Sequence, residues 1–270
     1  MKIGLALSGG AARGMAHIGV LKYLEERDLK PSYIAGTSAG SIVGSLYCSG
    51  KSVQQLVKIA STMSWRDMIS FSFPKRGLID SSRLLNILKE HLGDITFSDL
   101  NIPLIVNAVD LSGGEEVVIE QGPVAEAVQA SCAIPGIFTP VKWGNRLLVD
   151  GGLLDNVPAR HLEDRKMDYI IAVDVGAQRP LQKEPGNIFE ILIQSYDVIK
   201  RHRDMPAYEC TDLIIVPELG DITFHDTSNP GVLIDRGYEA ARQTLEKVSF
   251  EKKPPLFSFF SRKRAKSQAK

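Results

Sequence analysis

The sequence predicts an α/β protein with a mostly parallel central sheet that helices cover on both faces. Short apolar runs rich in Val, Ile and Leu alternate along the chain with longer stretches in which apolar residues recur at helical spacing. The short runs lack polar alternation, which is typical of strands buried on both faces. A hydrophobic content of 44% with 24% charged residues suffices for one core without disulfides or metals. We therefore predict one domain over residues 1–250.

The strands are predicted where apolar runs stop at turn residues. The first run ends at Ser8-Gly9-Gly10 and the second at Gly36-Thr37. The run Glu116 to Glu120 follows the turn at Gly113-Gly114, so we expect it to pair locally as an antiparallel element. The other runs have no such short connection and are expected to be mostly parallel. The predicted strands are Lys2 to Leu7, Tyr33 to Gly36, Leu104 to Val109, Glu116 to Glu120, Leu147 to Val149, Tyr169 to Val173 and Leu213 to Val216.

The helices are predicted where apolar residues recur at intervals of three and four positions. No internal repeat is visible, so each helix is expected to cover the sheet separately. The predicted helices are Met15 to Arg27, Ala39 to Ser49, Val53 to Met63, Ser82 to His91, Val124 to Ser131, Ile188 to Arg203 and Val232 to Val248.

Charge is unevenly distributed along a chain whose formal charge sums to zero. Residues 251–270 contain seven Lys or Arg and one Glu, so this tail carries a charge of +6 and the remainder −6. We predict a flexible basic tail attached to an acidic body, and no nucleic-acid partner. The apolar aromatics of Leu256 to Phe260 precede the basic run Arg262 to Lys266, which suits peripheral contact with an anionic membrane; a solvated tail is the alternative.

Cysteine usage and the beginning of the chain indicate a cytoplasmic location. The three cysteines have neither paired spacing nor a nearby histidine cluster, so no disulfide framework and no metal site are expected. The apolar stretch Ile3 to Leu7 is too short for a signal peptide, and no run approaches the length of a membrane-spanning helix. We expect a cytoplasmic protein that contacts membrane at most peripherally, at the inner surface.

The segment Gly36-Thr37-Ser38-Ala39-Gly40 has the pattern G-x-S-x-G between a predicted strand and a predicted helix. In this context a serine lies on a sharp, strained turn with its hydroxyl exposed above the sheet, where it can act as a nucleophile. A glycine-rich turn with an incidental serine is the alternative. The strand before it and the helix after it favour the nucleophile.

Two further motifs supply what a serine nucleophile needs. The segment Ser8 to Gly14 follows a strand and opens a helix, so its backbone N–H groups converge on a site for negative charge. Neither the phosphate-loop pattern nor G-x-G-x-x-G fits it, and beside an elbow serine an oxyanion hole fits better. Asp150-Gly151-Gly152 ends a buried strand, and its carboxylate can take the proton of the serine.

These three motifs, in this order and at these separations, resemble the patatin-like phospholipases, particularly their short bacterial single-domain branch. The resemblance covers roughly residues 2 to 250 and excludes the basic tail. Other segments similar to that family are His17 to Leu21, Ala130 to Pro135 and Asp150 to Pro158.

The resemblance implies a three-layer α/β/α fold, a Ser/Asp dyad without catalytic histidine, and hydrolysis of acyl esters in phospholipids, lysophospholipids or neutral lipids. It requires no cofactor and no metal. By position, Ser38 matches the nucleophile and Asp150 the dyad base. The oxyanion loop matches Gly9, Gly10, Arg13 and Gly14, and Ala11 replaces a glycine that is common in the family.

Several alternatives remain open. A Ser-His-Asp triad would use His225 with Asp174 or Asp212, which have the chain order of an α/β-hydrolase, although the Asp150 motif would then have no role. The same elbow can transfer the acyl group to an alcohol or thiol, and a regulatory protein can keep the fold without turnover. The aromatic segment Trp65 to Arg76 is either a lid over the acyl chain or part of the core.

Overall fold

The computed structural model describes residues 1–62, 80–177, 188–203, 208–220, 222, 226–248 and 250. The aromatic segment Trp65 to Arg76, His225 and the basic tail lie outside these residues. The described strands are β1 Ile3–Leu7, β2 Tyr33–Gly36, β3 Leu104–Asp110, β4 Glu115–Ile119, β5 Val141–Trp143, β6 Arg146–Asp150, β7 Tyr169–Val173 and β8 Leu213–Ile215.

These eight strands form one sheet with the order β5-β6-β3-β2-β1-β7-β8, and β4 pairs with β3 outside this path. The five strands from β3 to β8 along the path are parallel to one another. Strands β4 and β6 run antiparallel to β3, and β5 runs antiparallel to β6. The prediction of a mostly parallel sheet with an antiparallel element after Gly113-Gly114 is therefore confirmed. Strand β5 was missed because it has three residues and none of them is buried.

The helices agree closely with the predicted positions. Six begin and end within one residue of prediction. The seventh begins two residues early and ends three residues early. Its early start follows from the Asn229 side chain, which accepts a hydrogen bond from the Val232 N–H (3.4 Å), and from Pro230, which suits a first helical turn. Their bounds are α1 Ala16–Glu26, α2 Ala39–Cys48, α3 Val53–Thr62, α4 Ser82–Leu92, α5 Val124–Ser131, α6 Ile188–Arg203 and α7 Pro230–Leu245. None of the described helices is both long and apolar enough to cross a bilayer.

The two faces of the sheet are covered differently because residues of different size alternate along its strands. Leu5 and Leu7 belong to the large core that also contains buried residues of α1 to α5 and α7. On the opposite face, Ala6, Ala35 and Ala172 pack with the 3₁₀ segment Ala159–Arg165. Small side chains on that face allow this short segment to lie close to the sheet. Both faces are covered, and the predicted α/β/α fold class is confirmed.

The pairing of β3 brings two strand ends together. Gly36 of β2 pairs with Val106, and Asp150 of β6 pairs with Ala108, while β4 pairs with both Val106 and Ala108. A strand residue has two edges and β4 occupies one of them, so β2 and β6 must share the other. Strand β2 runs parallel to β3 and β6 antiparallel, so their carboxyl ends approach each other from opposite directions. The residues that follow Gly36 and end β6 therefore meet.

Candidate active site

Ser38 lies at the junction of β2 and α2 in a strained conformation. Its backbone has φ 49° and ψ −120°, a left-handed value of φ that costs a non-glycine residue of order 1–3 kcal/mol. The Ser38 N–H donates to Ser131 Oγ at 2.8 Å, which holds the turn from the side of α5. The Ser38 side chain makes no capping bond to α2. This is the geometry that the elbow motif predicts.

A buried amide holds the elbow from below. Thr37 Oγ1 donates to Asn107 Oδ1 at 2.8 Å and lies 3.1 Å from the carbonyl oxygen of Asp155. The Asn107 amide donates to the Asp155 carbonyl at 2.8 Å and to Glu116 Oε1 at 3.0 Å. One side chain of β3 thus ties together the end of β2, strand β4 and the segment after β6.

Asp150 is the last residue of β6 and only 1% exposed. Its Oδ1 atom accepts hydrogen bonds from the Gly152 N–H at 2.8 Å and from the Tyr196 hydroxyl at 2.9 Å. Burial raises the pKa of Tyr196 well above its ordinary value, and the Asp150 carboxylate adds to this effect. The phenol therefore stays protonated and acts as a donor, which favours the ionised form of the carboxyl group.

The Cys132 thiol shows that Ser38 and Asp150 share one site. It lies after α5, is buried, and is hydrogen-bonded to the Ser38 side chain. Burial raises its pKa above the ordinary value, and the negative charge of Asp150 raises it further. A single neutral thiol thus contacts the predicted nucleophile and is electrostatically coupled to the predicted base, although the two lie 112 positions apart in the sequence.

The loop from Ser8 to Gly14 packs directly against the elbow. A Cβ atom on Gly9 would lie 3.2 Å from Ser38 Cβ, and one on Gly14 would lie 2.5 Å from Ala39 Cβ. The Gly9 N–H donates to the Asn156 carbonyl at 3.1 Å, and the Arg13 N–H donates to the Gly10 carbonyl at 3.1 Å. These two backbone donors are engaged within the protein, so Gly9 contributes to the site through its close approach to Ser38.

Ala11 adopts a left-handed backbone conformation with φ 49° and lines the same cavity as Ser38. Such a conformation favours glycine, because an alanine methyl group crowds the backbone there. The backbone at Ala11 is therefore strained, because this chain has alanine where the family commonly has glycine. The sequence alone did not reveal this strain.

The Arg13 side chain is buried, and its described contacts lie away from Ser38. Its Nε donates to the Ile222 carbonyl at 3.0 Å and its Nη2 donates to the Gly220 carbonyl at 2.8 Å. The guanidinium group therefore ties the start of the loop to the segment after β8. This supports the expectation that Arg13 holds the loop in place, and it excludes a surface arginine.

An apolar cavity opens beside Ser38. It encloses about 860 Å³ of empty space, part of which is open to solvent. Helices α1 to α4 and the segment after α5 contribute its walls, among them Ile18, Ile42, Leu56, Leu84 and Phe138. Ser38 lies at the edge of this cavity. A ligand that reaches its hydroxyl group can therefore place an apolar portion against these walls.

Two of the described histidines, His17 and His161, make contacts unrelated to a triad. His17 is fully buried, with Nε2 2.9 Å from the Ser8 carbonyl, and burial lowers its pKa to about 4. His161 contacts Glu116 at 2.9 Å. Asp174, one of the acids considered for a triad, accepts hydrogen bonds from the Gly176 N–H, the Ala177 N–H and the Tyr208 hydroxyl.

One cluster of ligand-type atoms lies below the elbow. Atoms of Glu116, Asp155 and His161 lie within 4.8 Å of one another, which is a spacing compatible with a metal ion. Arg160 already forms ion pairs with both carboxylates, at 3.0 Å to Asp155. Burial and the neighbouring Glu116 charge raise the pKa of Asp155 to about 6. The arginine supplies the positive charge here, so we interpret the cluster as structural.

Sequence reasoning missed three contributors to the site: Tyr196, Cys132 and the amide of Asn107. Cys132 lies in the segment Ala130 to Pro135, which was already recognised as similar to a known family. Neither Asn107 nor Tyr196 has a comparable signal, because each lies in an ordinary strand or helix pattern.

Comparisons with known proteins agree with this geometry. The sequence profile of the family described as patatin-like phospholipase matches residues 5–162. An uncharacterized NTE family protein of Mycobacterium tuberculosis (strain H37Rv) is 34% identical over 177 residues, which cover 64% of this chain and 49% of that protein. Lysophospholipase NTE1 of Candida glabrata is 29% identical over 215 residues, which cover 76% of this chain and 12% of that protein.

Among solved structures, VipD from Legionella pneumophila superimposes with a TM-score of 0.65 at 16% identity, covering 91% of this chain and 67% of that one. At this identity the likeness shows a shared fold. The chain spans about half the length of the mycobacterial relative and a small part of the fungal one.

Proposed function

Because this chain belongs to the patatin-like phospholipase family, we propose that it hydrolyses acyl esters of lipids, with Ser38 as nucleophile and Asp150 as base. The observation that supports this most strongly is the position of Ser38. It lies on a strained elbow, beside a buried carboxylate that two donors hold, and at the edge of an apolar cavity.

In the first half of the reaction, Asp150 takes the proton of the Ser38 hydroxyl as Oγ attacks the acyl carbonyl carbon. The oxyanion of the tetrahedral intermediate is stabilised by the backbone N–H groups of Gly10, Ala11 and Ala12, at the start of the 3₁₀ helix Ala11–Met15. The Arg13 N–H already donates to the Gly10 carbonyl, and Gly14 lies inside the helix, where its N–H pairs with the carbonyl three residues earlier. Asp150 then gives the proton to the departing alcohol, which leaves the acyl group on Ser38.

In the second half, Asp150 takes a proton from water, and the hydroxide oxygen attacks the acyl-serine carbonyl. Collapse of the second intermediate breaks the bond to Ser38 Oγ, which receives the proton back, and releases the fatty acid. Protein groups alone carry these steps. An alcohol in place of water would give acyl transfer, so product analysis distinguishes the two reactions.

The cavity supports a lipid substrate. Its walls are almost entirely apolar and it reaches Ser38, so an acyl chain can lie along α2 with its ester at the hydroxyl. We propose lysophospholipids and phospholipids as the substrate class, which the name of the fungal relative also supports.

The sequence is the basis for a proposal on the protein's location and its contact with membranes. We propose a cytoplasmic protein whose tail, residues 251–270, contacts anionic membrane surfaces. The support is the charge of this segment beside its apolar aromatics.

The decisive experiment labels the protein with a fluorophosphonate probe and measures fatty acid release from lysophosphatidylcholine by mass spectrometry. We expect wild type to be labelled and active, and Ser38→Ala to be neither. Ser45→Ala is the matched control, because Ser45 is a buried serine about two turns further along α2 whose hydroxyl donates to the Ile42 carbonyl. Labelling of Ser38→Ala equal to that of wild type would contradict the proposal.

A further inference from the structure

Helix α6 packs on the protein in an unusual way. Among its described side chains, Ile191, Leu192, Val198 and Ile199 are 40–45% exposed, whereas Tyr196 is 9% exposed. A helix that docks for hydrophobic stabilisation buries its aliphatic residues and leaves polar atoms outside. Among the described side chains of α6, the buried Tyr196 is instead held by a polar contact, since its hydroxyl donates to Asp150 Oδ1 at 2.9 Å.

The Asp-Gly-Gly motif accommodates this contact. A Cβ atom on Gly152 would lie 2.7 Å from the Tyr196 hydroxyl oxygen and 3.1 Å from Asp150 Oδ1. Any larger residue at position 152 would therefore push the phenol away from the carboxylate. The second glycine of the motif thus makes room for a side chain from a helix far away in the sequence.

From these contacts we propose that Tyr196 is a positioning residue for the dyad, which fixes the orientation of the Asp150 carboxylate and favours its ionised form. The proposal rests on the function proposed above. Two hydrogen bonds to Oδ1, from the Tyr196 hydroxyl and from the Gly152 N–H, fix the orientation of the carboxylate. Tyr196 itself does not touch the reacting atoms.

The other titratable groups near this pair act in the same direction. Cys132 faces Asp150, and its thiol stays neutral because burial raises its pKa. Asp197, the neighbour of Tyr196 on α6, adds negative charge that raises the pKa of the phenol. Burial together with the charges of Asp150 and Asp197 keeps Tyr196 protonated, so it remains a hydrogen-bond donor.

The test measures the second-order rate of fluorophosphonate labelling of the full chain between pH 4 and 9. For Tyr196→Phe we expect a loss of roughly 10- to 100-fold at neutral pH, since a hydrogen bond to a charged group is removed. The acidic limb of the profile should move to higher pH, because the carboxylate protonates more readily without this donor. Urea unfolding checks that the variant is folded.

Tyr208→Phe is the matched control, because its hydroxyl also donates to a carboxylate, that of Asp174, outside the site. It should keep the wild-type rate and pH profile. Gly152→Ala provides a second measurement: it should slow labelling strongly in the wild-type background and much less in Tyr196→Phe, where the hydroxyl is absent.

The outcomes are distinguishable from failure of the proposed function. If wild type itself is not labelled, the nucleophile assignment fails. If wild type is labelled, and Tyr196→Phe reacts within about twofold of it with an unchanged pH profile, the positioning role is overturned. Additive effects of Gly152→Ala and Tyr196→Phe would also overturn it.

Discussion

Protonation of His17 should destabilise the protein between pH 6.5 and pH 4. The Ser8 carbonyl accepts a hydrogen bond from His17 Nε2, so Nε2 carries the hydrogen and Nδ1 is the basic nitrogen. Nδ1 is buried and has no hydrogen-bond partner among the described residues. A proton added there would be buried without an acceptor, next to the loop that packs against Ser38.

The size of this effect follows from the pKa. Burial lowers the pKa of His17 from 6.5 to about 4, against a smaller opposing effect of the Ser8 hydrogen bond. The unfolded chain thus binds the proton first as pH falls, so the folded state loses stability from pH 6.5 downward until about pH 4. The full loss is about 3 kcal/mol, of which about 2 kcal/mol is lost by pH 5.

Urea denaturation at pH 7.5 and pH 5.0 measures the effect, with His17→Gln as the test variant. The glutamine amide can still donate to the Ser8 carbonyl but does not titrate, so the difference in unfolding free energy between the two pH values should shrink by about 2 kcal/mol. His91→Gln, at the partly exposed C-terminal end of α4, should change it by less than about 1 kcal/mol. An unchanged pH difference in His17→Gln would refute the reasoning.

Three further predictions concern the site and the tail. Ala11→Gly should raise the unfolding free energy by up to about 1 kcal/mol, because glycine relieves the strain of the left-handed backbone. The control Ala12→Gly should lower the unfolding free energy by a similar amount. If urea denaturation shows equal losses for both variants, there is no strain at Ala11. Asp150→Asn should reduce hydrolysis of a short-chain ester by roughly 100-fold or more while His225→Ala stays active, and the reverse result would establish a histidine triad. Removal of residues 254–270 should weaken cosedimentation with anionic vesicles, and the loss should be larger at low salt than at high salt. Hydrolysis of a soluble ester should not change. Undiminished vesicle binding would exclude the tail as an anchor.

Most of the fold could be predicted because its signals are local. The elbow shows this best: Gly36 to Gly40 lies between a strand and a helix, and the turn geometry depends on these residues and their immediate neighbours. Helix bounds were accurate for the same reason, since amphipathic spacing and caps are encoded within a few residues. Strand β5 has too few residues for such a pattern, and the strain at Ala11 is visible only in the backbone angles.

In the candidate site, too, the features with local sequence signals could be predicted and the others could not. The sequence by itself determined the fold class and predicted the elbow at Ser38, the loop beside it and Asp150 as its proposed partner, because each lies in a short motif whose chemistry does not depend on distant residues. Only the tertiary structure decided how β3 aligns the ends of β2 and β6, and which side chains surround Asp150. Tyr196 reaches that carboxylate across 46 positions of chain, from a helix with no distinguishing pattern. The hydrogen bond between Tyr196 and Asp150 forms because α6 packs against the site and Gly152 leaves room for the phenol. No local sequence pattern predicts such a contact.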